Sequence, residues 1–277
     1  MLKTILITGC SSGIGYQAAK QLRERNWRVF ATCRQNKDCK RLNDEGFESF
    51  QLDYSDEKSI ASAISKISAL NNGKLDVLFN NGAYALPGAV EDLSRAALRR
   101  IFETNFFGQI DLMNQALPLL RNTATGRVIF CSSVLGFTAL PYRGAYNASK
   151  FAIEAITDTI RREKTGAEIK FILLEPGPIK TNIRQNSRVY FERDINWRKS
   201  KIRPIYENII LPRIYEEPAK KNLADYFELQ PEAVVKSLIH AAESSKPKKR
   251  YFITLPTYFA NLAKRLMSTT LQDFIFK

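Results

Sequence analysis

The sequence predicts an α/β fold: a doubly wound parallel sheet of about seven strands with helices on both faces. Three observations carry that prediction. Short β-branched apolar runs alternate with segments of helical period along the chain. The first run opens into a glycine-rich turn followed by a helical pattern. Polar signature residues cluster where the runs end, the place where open α/β sheets hold ligands.

Thr4–Thr8 is the first strand, and Gly9-Cys10-Ser11-Ser12-Gly13-Ile14-Gly15 follows it. Ala18, Ala19 and Leu22 then recur at helical spacing. Strand, glycine loop and helix in this order form the first turn of a dinucleotide-binding, Rossmann-type fold. Glycines let the backbone approach a pyrophosphate, and the helix start offers free N–H groups. The spacing is G-x-x-x-G-x-G, which departs from the general G-x-G-x-x-G fingerprint.

Arg28–Thr32 is the second strand, and it ends in Cys33-Arg34. A carboxylate there would hold the ribose hydroxyls of NAD. Arg34 instead suits a 2′-phosphate, so NADP is expected over NAD. Phe47–Leu52 is the third strand, ending at Asp53-Tyr54-Ser55, and residues 56–70 are helical. Leu75–Phe79 is the fourth, ending in Asn80-Asn81-Gly82-Ala83. A long helical pattern runs from about Leu98 to Leu120 and carries Asn105 among apolar residues, where a buried amide must find partners.

Arg127–Cys131 is the fifth strand, ending in Ser132-Ser133. Gly144–Arg162 is helical and carries Tyr146 and Lys150, four residues apart and so on one helix face. A cation beside a phenol lowers its pKa by about 1–3 units, toward the range of a general acid or base. Glu168–Leu174 is the sixth strand, ending in Glu175-Pro176-Gly177; Pro231–Ser244 is a helix and Tyr251–Thr254 the last strand.

Two segments stand outside the alternation. Residues 180–228 are too long for a plain connection and are expected to form a lid of short helices inserted into a domain of residues 1–255. Residues 256–277 carry Tyr258, Phe259, Leu262 and Leu266 as an apolar helical stripe, a C-terminal amphipathic extension.

Composition bounds the function. The 277 residues carry a net charge of +14, concentrated in 184–221, with ten basic and five acidic residues, and in 246–277, with seven and one. Such patches draw phosphates or anionic lipid, or form a solvated surface. No nucleic-acid-binding motif accompanies them, and no nucleic acid is expected as a partner. The four cysteines form no C-x-x-C pair and there is one histidine, so no metal site is expected and the thiols suit a reducing compartment. No signal peptide and no apolar stretch of about 20 residues is visible, which points to the cytoplasm. Peripheral contact with the inner face of a membrane, through the C-terminal stripe and its basic entry, stays open.

Together these signatures resemble the short-chain dehydrogenase/reductases of the single-domain branch. Thr8–Gly15 matches the cofactor loop, Asp53 the acid that meets the adenine ring, and Asn105–Gly108 the N-x-x-G element. Ser133, Tyr146 and Lys150 match S…Y-x-x-x-K, and Pro176–Thr181 matches P-G-x-x-x-T. The likeness covers residues 2 to about 183 and the elements near 231–254. One departure is Asn80-Asn81-Gly82-Ala83, where the family reads Asn-Asn-Ala-Gly; both residues are small, and backbone contact with the adenosine side is expected to survive at Asn81 and Gly82. A second likeness, carried by Cys33-Arg34, Glu175-Pro176-Gly177 and the long lid, is to the branch containing 17β-hydroxysteroid and retinol dehydrogenases.

The resemblance implies an NADP(H)-dependent oxidoreductase that moves a hydride between nicotinamide and a carbonyl or alcohol. Tyr146 would be the proton donor, Lys150 would lower its pKa and bind the nicotinamide ribose, and Ser133 would fix the carbonyl oxygen. Asn105 would hold a water linked to Lys150. Gly9, Ser11, Ser12, Gly13, Ile14, Gly15, Arg34, Asp53, Asn81, Gly82, Pro176, Gly177, Ile179 and Thr181 would contact the cofactor with Tyr146 and Lys150. Leu86, Leu135, Phe137, Leu140 and Tyr142 near the strand ends suggest a bulky apolar substrate of steroid, retinoid or lipid type. The family also implies a dimer or tetramer. The competing class is a non-catalytic NADP-binding protein that uses its basic lid and tail on a membrane or partner.

Overall fold

The computed structural model describes residues 2–163, 169–215 and 226–276. Seven parallel strands form one sheet in the order β3-β2-β1-β4-β5-β6-β7. They are β1 Thr4–Ile7, β2 Arg28–Cys33, β3 Glu48–Gln51, β4 Val77–Asn80, β5 Arg127–Cys131, β6 Lys170–Pro176 and β7 Arg250–Ile253. The strand order reverses between β1 and β4, so the crevice for a ligand opens at the C-terminal ends of those two strands.

The central strands are apolar on both sides because both faces are covered. Ile5 and Ile7 of β1 face helices α1 (Gly13–Glu24), α2 (Asn36–Asp44) and α10 (Glu232–Glu243), through Leu22, Leu42 and Leu238. Leu6, between them, faces α3 (Glu57–Leu70), α5 (Gly108–Arg121) and α6 (Gly144–Arg162), through Ile60, Leu112 and Ile153. The period of two along β1 thus divides the core into two halves. Helix α2 has no counterpart in the sequence expectations, because it is short and polar and buries only Cys39 and Leu42.

The expected single helix over 98–120 is interrupted. Helix α4 (Arg95–Phe102) passes into a π turn, Glu103–Phe107, and then into α5. The turn places Asn105 inward and fully buried. Just past it, Gly108 lies so close to Tyr54 that a Cβ would stand 2.1 Å from the Tyr54 carbonyl oxygen. The N-x-x-G spacing therefore joins an inward amide to a backbone contact that only glycine allows.

Segment 180–228 folds as α7 (Ile183–Asp194), the short α8 (Arg203–Ile205), a π turn over Tyr206–Ile210 and α9 (Leu211–Tyr215); the part of the expected lid at 216–225 lies outside the described residues. Phe191, Ile195, Tyr206, Ile210 and Ile214 form a third apolar cluster with Tyr84, Leu86, Ile101 and Tyr146. Asp92 pins the segment, accepting hydrogen bonds from the Tyr206 hydroxyl at 2.6 Å and the Ser200 hydroxyl at 2.8 Å.

After β7 come α11 (Leu255–Leu266) and α12 (Thr269–Ile275). Helix α11 buries only Thr257, Ala260 and Ala263. Its larger apolar side chains point outward: Tyr258 is 54% exposed, Leu262 55% and Leu266 75%, and Phe274 of α12 is 75% exposed. Among the described residues, no helix is long and apolar enough to cross a membrane.

Candidate active site

The glycine loop shows what its sequence is for. Gly9 has φ +69° and Gly13 φ +58°, the left-handed region that side chains avoid. A Cβ on Gly15 would stand 2.4 Å from the Gly9 carbonyl oxygen, and one on Gly9 would stand 2.9 Å from the Gly82 Cα. The loop therefore lies flat against the end of β4. Thr8 and Asn81 hold it there: the Asn81 amide donates to the Thr8 carbonyl at 2.9 Å, and the Thr8 hydroxyl accepts from the Asn81 and Gly82 backbone at 2.9 and 3.1 Å. A Cβ on Gly82 would stand 3.1 Å from the Tyr54 ring and 3.6 Å from the Gly9 nitrogen, so the inverted Gly82-Ala83 order places the residue without a side chain against Tyr54.

Ser12 caps α1 in an extended conformation and makes no capping bond with its side chain. The first-turn N–H groups of α1 are thus presented at the loop beside Ser11 and Ser12, with Ile14 folded back onto the core. Arg34 sits at the end of β2, exposed, and its guanidinium hydrogen-bonds the hydroxyl of Tyr190 on α7. Asp53 follows β3; its carboxylate accepts from the Ser55 backbone at 2.9 Å and from the Ser55 hydroxyl at 2.7 Å.

From the other side comes the turn after β6. Gly177 donates to the Ile253 carbonyl at 2.9 Å, and a Cβ on it would stand 2.2 Å from the Thr254 hydroxyl. Ile179 pairs with Leu229, and the chain then delivers Thr181 to Gly13, 3.4 Å from where a Cβ on that glycine would stand. Thr254 itself has φ +90°, a strained value for a β-branched residue. It is buried, and its hydroxyl shares a 3.1 Å hydrogen bond with Thr257.

Between these two walls stand Ser133, Tyr146 and Lys150. Ser133 caps the short 3-10 turn after β5, accepting from the Leu135 backbone at 3.1 Å. Tyr146 and Lys150 share one face of α6, the ammonium lying 5.7 Å from the phenol ring centroid. Lys150 is 1% exposed and donates to the Cys131 carbonyl at 2.6 Å. Burial pulls its pKa down, against the charges of Cys131 and Glu154.

Burial pushes the Tyr146 phenol well above its ordinary value, with Cys131 adding to the rise. Hydrogen bonding from Ser133 and the charge of Arg143 act in the opposite direction. This departs from the expected depression by Lys150. The ammonium is directed at a backbone carbonyl, so desolvation of the phenol dominates.

Asn105 lies fully buried beside α6. Its carbonyl accepts from the Tyr84 backbone at 3.0 Å, and its amide donates to the Tyr84 carbonyl at 2.9 Å and the Ser149 hydroxyl at 3.1 Å. Among the described residues it makes no side-chain bond to Lys150. It ties the loop after β4 to α6, one residue before Lys150.

Of the expected substrate-side residues, Leu86, Leu135 and Tyr142 join the apolar cluster around Tyr146. Phe137 instead meets Phe252 edge to face at 5.9 Å, and Leu140 is 41% exposed. A carboxylate cluster behind α6 escaped the sequence reading. Arg250 of β7 binds Glu154, Glu175 and Asp158. Burial, followed by the neighbouring Glu154 charge, pushes the Glu175 carboxyl up to about 8 despite Arg250. No local motif marks it, since its members come from three elements far apart in sequence.

Comparison with known proteins agrees with this geometry. The family model described as short chain dehydrogenase matches residues 3–189. An uncharacterized oxidoreductase, YbbO, of Escherichia coli K12 is 37% identical over 277 residues, covering 100% of this chain and 95% of that protein. Human retinol dehydrogenase 8 is 31% identical over 263 residues, covering 90% of this chain and 80% of that protein. Among solved structures, a short-chain dehydrogenase from Streptomyces avermitilis superposes with a TM-score of 0.75 at 22% identity, covering 99% of this chain and 97% of that one. An alcohol dehydrogenase from Thermococcus sibiricus complexed with 5-hydroxy-NADP superposes at 0.69 and 20% identity, covering 92% and 97%. The chain belongs to the short-chain dehydrogenase family of oxidoreductases.

Proposed function

We propose that the protein is an NADP(H)-dependent carbonyl reductase or alcohol dehydrogenase acting on a bulky apolar substrate. The observation that carries the reading is the convergence of Ser133, Tyr146 and Lys150 beside a glycine cradle that a single Cβ would fill. The bound nicotinamide supplies the hydride. The chain's own residues do the rest. Ser133 orients the carbonyl oxygen, and Tyr146 gives that oxygen its proton in the reductive direction. The Lys150 ammonium, fixed on the Cys131 carbonyl, stabilises the phenolate left behind. Asn105 keeps the loop after β4 in register with α6.

Arg34 supports NADP as the cofactor: it is a cation at the end of β2 with no carboxylate bonded to it among the described residues. Asp53, Asn81 and Gly82 would lie along the adenosine side, and Pro176, Gly177, Ile179 and Thr181 along the nicotinamide side. The apolar cluster of Leu86, Leu135, Tyr142, Phe191 and Ile195 supports an apolar substrate, as does the likeness to a retinol dehydrogenase. We read residues 1–255 as one catalytic domain with 180–228 as its lid. Exposed Phe107 and Phe151, on the helices that carry Asn105 and Tyr146, support pairing of two copies. NADPH oxidation across a panel of ketones and aldehydes, with NADH alongside, tests the reading. Turnover abolished in Tyr146→Phe supports it, and full activity in that variant removes it.

The outward apolar face of α11 and α12 supports a second element: a cytoplasmic protein that rests on an anionic membrane surface. Lys246, Lys248 and Lys249 precede the face, and Lys264 and Arg265 flank it. Co-sedimentation with phosphatidylserine vesicles, lost on deleting 268–277 and absent with neutral vesicles, is the expected result.

A further inference from the structure

We propose that Tyr190 of the lid is the second donor to the cofactor's 2′-phosphate, beside Arg34, so that NADP(H) draws the lid over its own adenosine end and NAD(H) does not. This rests on the proposed NADP reading, which it deepens by naming a lid residue that recognises the phosphate.

Tyr190 joins two strand ends. Its ring lies flat on the ring of Tyr84, with centroids 3.8 Å apart and planes 18° apart. Tyr84 is itself fixed, because the Asn105 side chain accepts from its backbone N–H at 3.0 Å and donates to its carbonyl at 2.9 Å. The Tyr190 hydroxyl accepts a hydrogen bond from the Arg34 guanidinium. Tyr84 follows β4 and Arg34 follows β2, with β1 and its glycine loop between them. Strands β2 and β4 stand two spacings apart, about 10 Å. The stack of Tyr84 and Tyr190 therefore spans the crevice in which the dinucleotide is expected.

The root of the lid lies on the same loop. Thr181 stands 3.4 Å from where a Cβ on Gly13 would be, and α7 begins two residues later at Ile183. Two turns on, the helix sets Tyr190 against the end of β2. A helix that starts beside the glycine loop thus returns one side chain to the residue proposed to hold the 2′-phosphate.

The pair has donors to spare. A guanidinium carries five N–H donors, and Tyr190 takes one. The phenol accepts from Arg34 and keeps its own proton, which goes to no acceptor among the described residues. Arg193 also lies against the Tyr190 ring, 5.3 Å from its centroid, but Asp194 occupies its guanidinium with bonds of 3.0 and 2.8 Å. Arg34 is exposed and has no such carboxylate among the described residues. A phosphate that meets the free N–H groups of Arg34 has the phenol O–H beside it. A guanidinium fork and a hydroxyl, brought together from two elements, suit the several acceptor oxygens of a phosphate. The uncharged ribose hydroxyl of NAD offers neither donor an equal partner. Because one donor belongs to the sheet and the other to the lid, the phosphate binds the closed lid better than the open one, which is what closure requires.

Tyr190→Phe keeps the ring on Tyr84 and removes only the hydroxyl. Calorimetric titration of wild type and variant uses NADP+ and NAD+, and then 2′-phospho-ADP-ribose and ADP-ribose, which carry no nicotinamide and need no turnover. The variant is expected to lose about tenfold in affinity for the two phosphorylated compounds and less than about twofold for the other two, as for one charge-assisted hydrogen bond. Hydrogen exchange over Ile183–Asp194 at saturating nucleotide reads the lid. NADP+ should slow it more than NAD+ in wild type, with the difference gone in Tyr190→Phe. Equal affinity of wild type for NADP+ and NAD+ removes the NADP reading and this inference with it. A wild-type preference for NADP+ that persists in the variant overturns the role of Tyr190 and leaves the cofactor reading in place. So does an equal loss for both nucleotides, which assigns the residue to packing, or tighter NADP+ binding by the variant, which makes Tyr190 a competitor for Arg34. Exchange slowed equally by both nucleotides in wild type overturns the coupling to the lid.

Discussion

The Lys150 ammonium is bonded to the Cys131 carbonyl at 2.6 Å, so the last residue of β5 sets the position of the charge beside Tyr146. The lysine is buried at the centre of the site, and its place on the face of α6 is fixed by a strand. Lys150→Met keeps the bulk and removes the charge. It is expected to lower kcat of carbonyl reduction by about 100-fold or more, with a far-UV spectrum like wild type, measured by NADPH absorbance.

Tyr146 is pushed upward from its ordinary value of 10.0, chiefly by burial. A phenol that stays protonated at neutral pH is ready to act as an acid and poor as a base. The reductive kcat should therefore hold steady from neutral pH to about 10, while the oxidative rate climbs over that range. Steady-state profiles in both directions check this. A reductive limb falling near neutral pH would show that the phenol is depressed instead.

Arg34 is a cation at the end of β2, where the adenosine ribose is expected. Replacing it by alanine should weaken NADPH binding by about 10- to 100-fold, the worth of charge-assisted hydrogen bonds. NADH should change by less than about threefold on the same argument. Fluorescence titration with the two nucleotides measures both, and equal losses would place the arginine elsewhere in the adenosine site.

Glu175 sets a pH dependence of stability. Its carboxyl is held up to about 8, against 4.5 for an ordinary glutamate. Between those values the folded chain binds more protons than the unfolded one, so stability is full below the lower value and falls as pH rises through the upper. Glu175→Gln keeps the shape and removes the titration. Its melting temperature should exceed that of wild type by several degrees at pH 9 and approach it at pH 5, read by calorimetry.

The parts visible in the sequence are those written in local spacing. The central strands are apolar runs buried on two faces, and the cofactor loop is legible because Gly9, Gly13 and Gly15 each meet a backbone or a left-handed turn. Helix α2 was hidden because two buried residues give no stripe. The π turn at Glu103–Phe107 adds no distinctive residue; only its outcome, an inward Asn105 bonded to Tyr84 and Ser149, reveals it. The Arg250 cluster depends on chain crossings that no window of sequence contains. The interplay of burial and charge at Tyr146 is likewise a property of three dimensions.

Thr254 links the tail to the heart of the enzyme. Its left-handed backbone places its hydroxyl against Gly177, and Thr257 of α11 completes the contact. The first turn of α11 is thus a buttress for the turn that follows β6, and the two should melt together as one cooperative unit. Hydrogen exchange at Gly177 and at the first turn of α11 should report a common opening, whereas α12 exchanges independently. Chain shortening is then asymmetric in its effect: trimming α12 alters a surface, and cutting into α11 loosens the clamp over the reaction centre.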